Sequence, residues 1–98
     1  MTLEDALLML RKAEPELRAK GIRHAGVFGS TARGDARADS DVDILVDFEP
    51  SAKITIYDYV AIKNDIGDLF GHAVDVIDRR GLKPHLQQPV ARDLVYAF

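Results

Sequence analysis

The sequence predicts a single α/β (α+β) domain with a small mixed β-sheet, helices on one face and an acidic site on the other. Three observations carry that expectation. Apolar residues recur at helical spacing in Leu3, Ala6, Leu7 and Leu10, and again in Tyr59, Ile62, Ile66, Leu69 and Phe70. Between these stretches lie short β-type runs, the clearest over residues 41–48, where Val42, Ile44 and Val46 alternate against Asp41, Asp43 and Leu45. Finally, 98 residues make one small domain spanning the whole chain, 1–98.

In chain order, Thr2 is a plausible N-cap for the first helix, with Asp5 placed to face its N-terminus. Pro15 predicts an end or kink near Ala13, a further turn or two reaching Lys20, and a stop at Gly21. Ile22–Phe28 reads as a short strand running into Gly29-Ser30. The polar residues 31–40 read as a short helix or loop, followed by the strand at 41–48 and a turn at Glu49-Pro50-Ser51. Ile56–Phe70 reads as a helix closed by Gly71, and residues 73–78 as another strand. Leu82, Leu86, Val90 and Leu94 fall four apart, a C-terminal helical stretch perturbed by Pro84 and Pro89. Residues 95–98 suit helix or strand.

Composition narrows the function classes. A hydrophobic fraction of 47% with 30% charged residues suits a globular chain. The absence of cysteine excludes disulfides and thiolate metal sites. MTLEDALLML carries two acids and no early base, the wrong charge for a signal peptide, and no run approaches a membrane span. A cytoplasmic protein without membrane contact is the expectation. The net charge of −3 argues against nucleic-acid binding, which favours a basic surface. The local basic groups Arg33/Arg37 and Arg79/Arg80/Lys83 suit a compact polyanion such as a triphosphate.

The chemistry concentrates in Gly29-Ser30 and Asp41-Val42-Asp43. A period of two puts Asp41 and Asp43 on one strand face, with Cα atoms about 6.5–7 Å apart. Carboxylates so held repel each other, and a hard divalent cation, Mg²⁺ or Mn²⁺, relieves that repulsion. On the strand at 73–78, Val74 and Val76 point one way and Asp75 the other. If the two strands share a sheet in matching register, Asp75 joins Asp41 and Asp43, and three acids on the open face suit two metal ions. Gly29-Ser30, after a strand and opening a helix, offers free amides to phosphate, with Arg33 or Arg37 available to neutralise its charge. A Walker lysine is missing, and the pattern is not GxGxxG.

Plainer roles compete with these. Surface strands often alternate acids; Asp39 and Asp78 suit surface or turn positions, and Arg33 and Arg37 suit a solvated loop. Ser40 fits a turn or cap as well as a phosphate contact. His24, His72 and His85 lack metal spacing, which favours surface or packing roles. Tyr57, Tyr59 and Tyr96 suit the core edge, with stacking on a base open to one of them.

Gly29-Ser30, ten residues, then Asp41-Val42-Asp43 resembles the GS-x10-DxD signature of the DNA polymerase β-type nucleotidyltransferases. The fuller run GSTARGDARADSDVDILV is similar to the minimal nucleotidyltransferases, and the likeness extends to HAVDVI with Asp75 and to Leu82-Lys83-Pro84. The resemblance implies the minimal nucleotidyltransferase fold, metal ligation and catalysis by Asp41, Asp43 and Asp75, and a triphosphate held by Gly29 and Ser30. It further implies two Mg²⁺ ions, ATP as substrate, and the antitoxin half of a HEPN/MNT toxin–antitoxin pair. Such an antitoxin transfers AMP to a tyrosine of its HEPN ribonuclease toxin. Two alternatives stay open: neutralisation by binding and occlusion, or transfer to a small molecule or RNA end. The small size weighs against the latter.

Overall fold

Thr2 starts the first helix through a reciprocal capping box. Its hydroxyl accepts the Asp5 amide at 3.1 Å, and the Asp5 carboxylate accepts the Thr2 amide at 3.3 Å. The computed structural model describes residues 1–98, and α1 spans Leu3–Lys12. Pro15 lies in the first turn of α2 (Glu14–Ala19), where its missing N–H costs nothing. Gly21, at φ +95°, turns the chain into β1 (Ile22–Phe28).

A single-turn helix, α3 (Gly29–Arg33), and a loop lead to β2 (Val42–Phe48), antiparallel to β1. The long helix α4 (Ile56–Phe70) then crosses over to β3 (Val74–Asp78), parallel to β2. A second capping box, Thr55 with Asp58, begins α4. A 3-10 turn at Arg79–Gly81 precedes α5 (Pro84–Asp93) and the two-residue β4 (Val95–Tyr96), which pairs antiparallel with β1. The mixed sheet has the order β3-β2-β1-β4. No helix is long and apolar enough to cross a membrane.

The core lies on one sheet face. Ala25, Val27, Val42, Ile44, Val46 and Phe48 meet Leu7 and Leu10 of α1, Leu17 of α2, and Ile62, Ile66 and Phe70 of α4. Full burial of side chains such as Leu10 or Ile44 is worth about 1.5–3 kcal/mol each. The acidic face is not bare, however. Phe28, Leu45 and Val90 form a second cluster with Ile77, Leu82, Leu86 and Leu94, so α5 roofs the middle of this face. The four-residue spacing of Leu82, Leu86, Val90 and Leu94 is the underside of that roof.

Two boundaries differ from the sequence expectation, and the structure decides a third segment that the sequence left open. The short helix expected within 31–40 starts at Gly29 and stops at Gly34, whose φ of +83° ends a helix without steric cost. Pro84 does not perturb the last helix but begins it, its fixed φ suiting the first helical turn. The terminal segment, which suited helix or strand, forms a strand because β1 has an edge free to accept it: beyond β4 the amides of Ala97 and Phe98 donate to the Ala25 carbonyl, and the Ala25 amide donates to the Phe98 carbonyl.

Candidate active site

The site forms where β1 ends beside the start of β2. Phe28 pairs with Asp43, and the next residue, Gly29, sits at φ +72°. A Cβ there would lie 3.1 Å from the Asp43 Cγ and closer still to Oδ2. Gly29 is therefore needed twice, for its backbone conformation and for the space in which the Asp43 carboxylate rests. Ser30 follows; its carbonyl closes α3 by accepting the amides of Gly34 and Asp35, both at 3.0 Å. With only five residues, α3 has a small dipole, and what it offers an anion is the unpaired amides of its first turn.

Asp43 and Asp75 are direct partners in the parallel register of β2 and β3, so they project from the same sheet face. Asp75 is exposed, Asp43 half-buried, and Asp41 exposed one residue before β2. Burial pushes the Asp43 carboxyl above the usual range, the charge of Asp75 and then of Asp41 push it further, and Arg33 opposes. The three aspartates thus share one electrostatic neighbourhood.

The donor set is all oxygen and only partly offset by Arg33, which fits a hard divalent cation. No three carboxylate or imidazole side chains are drawn together tightly enough to enclose an ion on their own. The arrangement is open, as suits Mg²⁺, which keeps several waters and takes one or two protein carboxylates beside substrate phosphates.

Of the remaining candidates, Arg33, Ser40 and Asp78 have partners within the chain. Arg33 donates from Nη1 to Asp93 on α5 at 2.8 Å and from Nε to Asp35 at 3.2 Å, tying α3 to the roof helix. Asp93, 6% exposed at its side chain, also receives Arg92, and the two arginines hold its carboxyl below the usual range. The Ser40 hydroxyl accepts the Arg37 amide at 3.0 Å, while its own amide donates to the Arg37 carbonyl, a closed turn. Asp78 caps the 3-10 turn and pairs with Arg80. Asp39 is exposed, and Arg37 is bound into the turn through its backbone alone.

Sequence reasoning missed one contact that bears on Asp41. His72 Nε2 lies 2.9 Å from the Ser40 carbonyl oxygen, linking the end of α4 to the residue before Asp41. A carbonyl only accepts, so Nε2 carries the proton. Tyr59 donates its hydroxyl to the Val76 carbonyl on the edge strand β3, a core-edge role as expected.

A family model described as a nucleotidyltransferase domain matches residues 10–96. The chain is 39% identical over 97 residues to a protein adenylyltransferase, MntA, of Thermococcus cleftensis, covering 98% of this chain and 96% of that protein. It is 42% identical to a solved structure of a candidate minimal nucleotidyltransferase, with a TM-score of 0.75 and 97% and 95% of the two chains covered. A solved complex of the Shewanella oneidensis MNT antitoxin with its tri-AMPylated HEPN toxin shares the fold at a TM-score of 0.69. There the identity is 19%, with coverage of 95% and 71%.

Proposed function

The chain belongs to the nucleotidyltransferase domain family, and from that premise we propose that it is an antitoxin adenylyltransferase, moving AMP from ATP to a tyrosine of a HEPN toxin. The observation that carries the proposal is the register pairing of Asp43 with Asp75 beside the Gly29 seat, with Asp41 in electrostatic range. The names of the similar proteins supply the donor and acceptor classes.

In this mechanism Gly29 and the first-turn amides of α3 receive the triphosphate, with Ser30 offering a hydroxyl. Asp41, Asp43 and Asp75 would hold two Mg²⁺ ions, with Mn²⁺ an alternative. Bound magnesium supplies neutralisation of the polyphosphate and acidification of the incoming hydroxyl. Asp75, exposed on the edge strand β3, takes the proton from the acceptor hydroxyl as its oxygen attacks the α-phosphorus and pyrophosphate leaves. Arg33 acts chiefly by bracing α3 through Asp93, and Ser40 by shaping the turn before Asp41.

A second proposal, neutralisation by binding alone, is favoured by an apolar patch at the start of α4, where Ile56 is 73% and Tyr57 84% exposed. One experiment separates the two. The protein is incubated with its toxin partner, ATP and Mg²⁺, and the partner is weighed by mass spectrometry. A gain of whole AMP units that disappears in Asp41→Ala and Asp43→Ala supports transfer. Full inhibition of the partner without mass gain supports occlusion.

A further inference from the structure

We propose that the sheet end remote from the aspartates carries a second binding site, which takes a carboxylate held beside an aliphatic side chain on a partner protein. The site goes beyond the transferase proposal and uses none of its residues. It starts from a register shift between Ile22 and His24 in β1. Arg23, in that shift, donates from Nη2 to Asp47 at 3.0 Å, while its Nε is buried with no acceptor at all. That nitrogen is shielded, so Arg23, with a side chain 40% exposed, faces the cleft through its outer guanidinium nitrogens.

A second arginine lies across the cleft. Arg79 donates to the Tyr96 hydroxyl and has no carboxylate partner. Asp47 balances Arg23 and Asp78 balances Arg80, so the charge of Arg79 is the uncompensated one. The Tyr96 ring is held edge-on to His24, with centroids 5.8 Å apart. These residues border a cleft of about 660 Å³. Arg79 also borders a neighbouring slot of about 280 Å³, walled by Leu45, Leu82, Val90 and Leu94.

One residue shared by a cationic cleft and an apolar slot defines the ligand. A carboxylate would pair with Arg79 in the cleft that Arg23 also lines, while an adjoining aliphatic side chain fills the slot. A bare phosphate leaves the slot empty, and a long polyanion meets a chain of net charge −3. An acidic residue next to leucine or isoleucine on a protein partner meets both demands.

The test is a ¹H–¹⁵N chemical-shift titration of the full chain, without nucleotide or metal, so that it stands or falls apart from the transferase proposal. The probes are acetyl-Leu-Glu-amide, its neutral isostere acetyl-Leu-Gln-amide, and inorganic phosphate. The acidic dipeptide is expected to shift the amides of Arg79, Leu82 and Tyr96 saturably. The other two should bind at least about tenfold more weakly, and Arg79→Gln should reduce the acidic dipeptide to the level of the neutral one. Equal binding of phosphate, equal binding of the neutral dipeptide, or no saturable shift overturns the proposal. If the arginine variant disturbs the fold, the comparison of the two dipeptides on the unaltered protein decides alone.

Discussion

Replacing Gly29 with alanine puts the seat of Asp43 to a quantitative test. Two costs are expected. A left-handed conformation at φ +72° costs an L-residue about 1–2 kcal/mol. The new Cβ also lies 3.1 Å from the Asp43 Cγ, and the strand pairing of Phe28 with Asp43 stops the backbone from yielding, so the carboxylate must move. A displacement of about 1 Å at a catalytic group can cost roughly a hundredfold in rate. Gly34 supplies the comparison. It sits at φ +83° with nothing within 4 Å of where a methyl would stand, so Gly34→Ala carries the backbone cost alone. Both variants should lose about 4–8 °C in melting temperature for each kcal/mol, the scale for domains of this size. Only Gly29→Ala should slow AMP transfer, followed as partner mass gain over time. If its rate stays within about threefold of the parent, under 1 kcal/mol of barrier, or if Gly34→Ala slows equally, the seat has no role.

Other expectations follow from the charges and from one loop contact. Asp43→Asn should melt at or above the parent near neutral pH while abolishing transfer, because it removes a repelled, half-buried charge. With a raised folded pKa, Asp43 weakens the fold when ionised, and that penalty fades as pH falls through the raised value; thermal melts across the acid range should show the two proteins converging. Asp93→Asn should have the opposite profile. Its carboxyl is lowered by Arg92 and Arg33, so its contribution is present above the unfolded pKa and lost as pH falls through the folded one. Its destabilisation should be largest near neutrality and vanish in strong acid. His72→Ala should cost about 1 kcal/mol in urea unfolding, the worth of one hydrogen bond, and slow transfer through the loosened turn before Asp41. His72→Gln, which keeps a donor, should restore part of the rate.

Much of this architecture is legible in the chain itself. Gly21 and Gly71 stop their helices where the apolar spacing runs out, and the alternation of Val42, Ile44 and Val46 states which side of β2 meets the core. The shared face of Asp43 and Asp75 needs only the assumption that two strands run in one register, and they do. What stays hidden depends on topology. Arg33 meets Asp93 across 60 residues and His72 meets Ser40 across 32, and no local pattern signals such pairs. The prolines at 84 and 89 obscure α5, although its leucine spacing already marks a buried stripe. Asp47 continues the alternation of Asp41 and Asp43, yet its partner Arg23 comes from a strand irregularity that spacing alone cannot reveal.

The lateral pairing of Asp43 with Asp75 has a consequence for how such a chain tolerates change. Neighbouring strands stand about 4.8 Å apart whatever connects them, so the hydrogen-bonded ladder is the ruler for the two acids and α4 is merely the strap. Extra turns in that strap, or insertions at the Glu49-Pro50-Ser51 bend, would leave the ruler intact. A slip of β3 by a single residue would turn Asp75 toward the helices, and the shortest possible deletion there would do more harm than a long loop elsewhere.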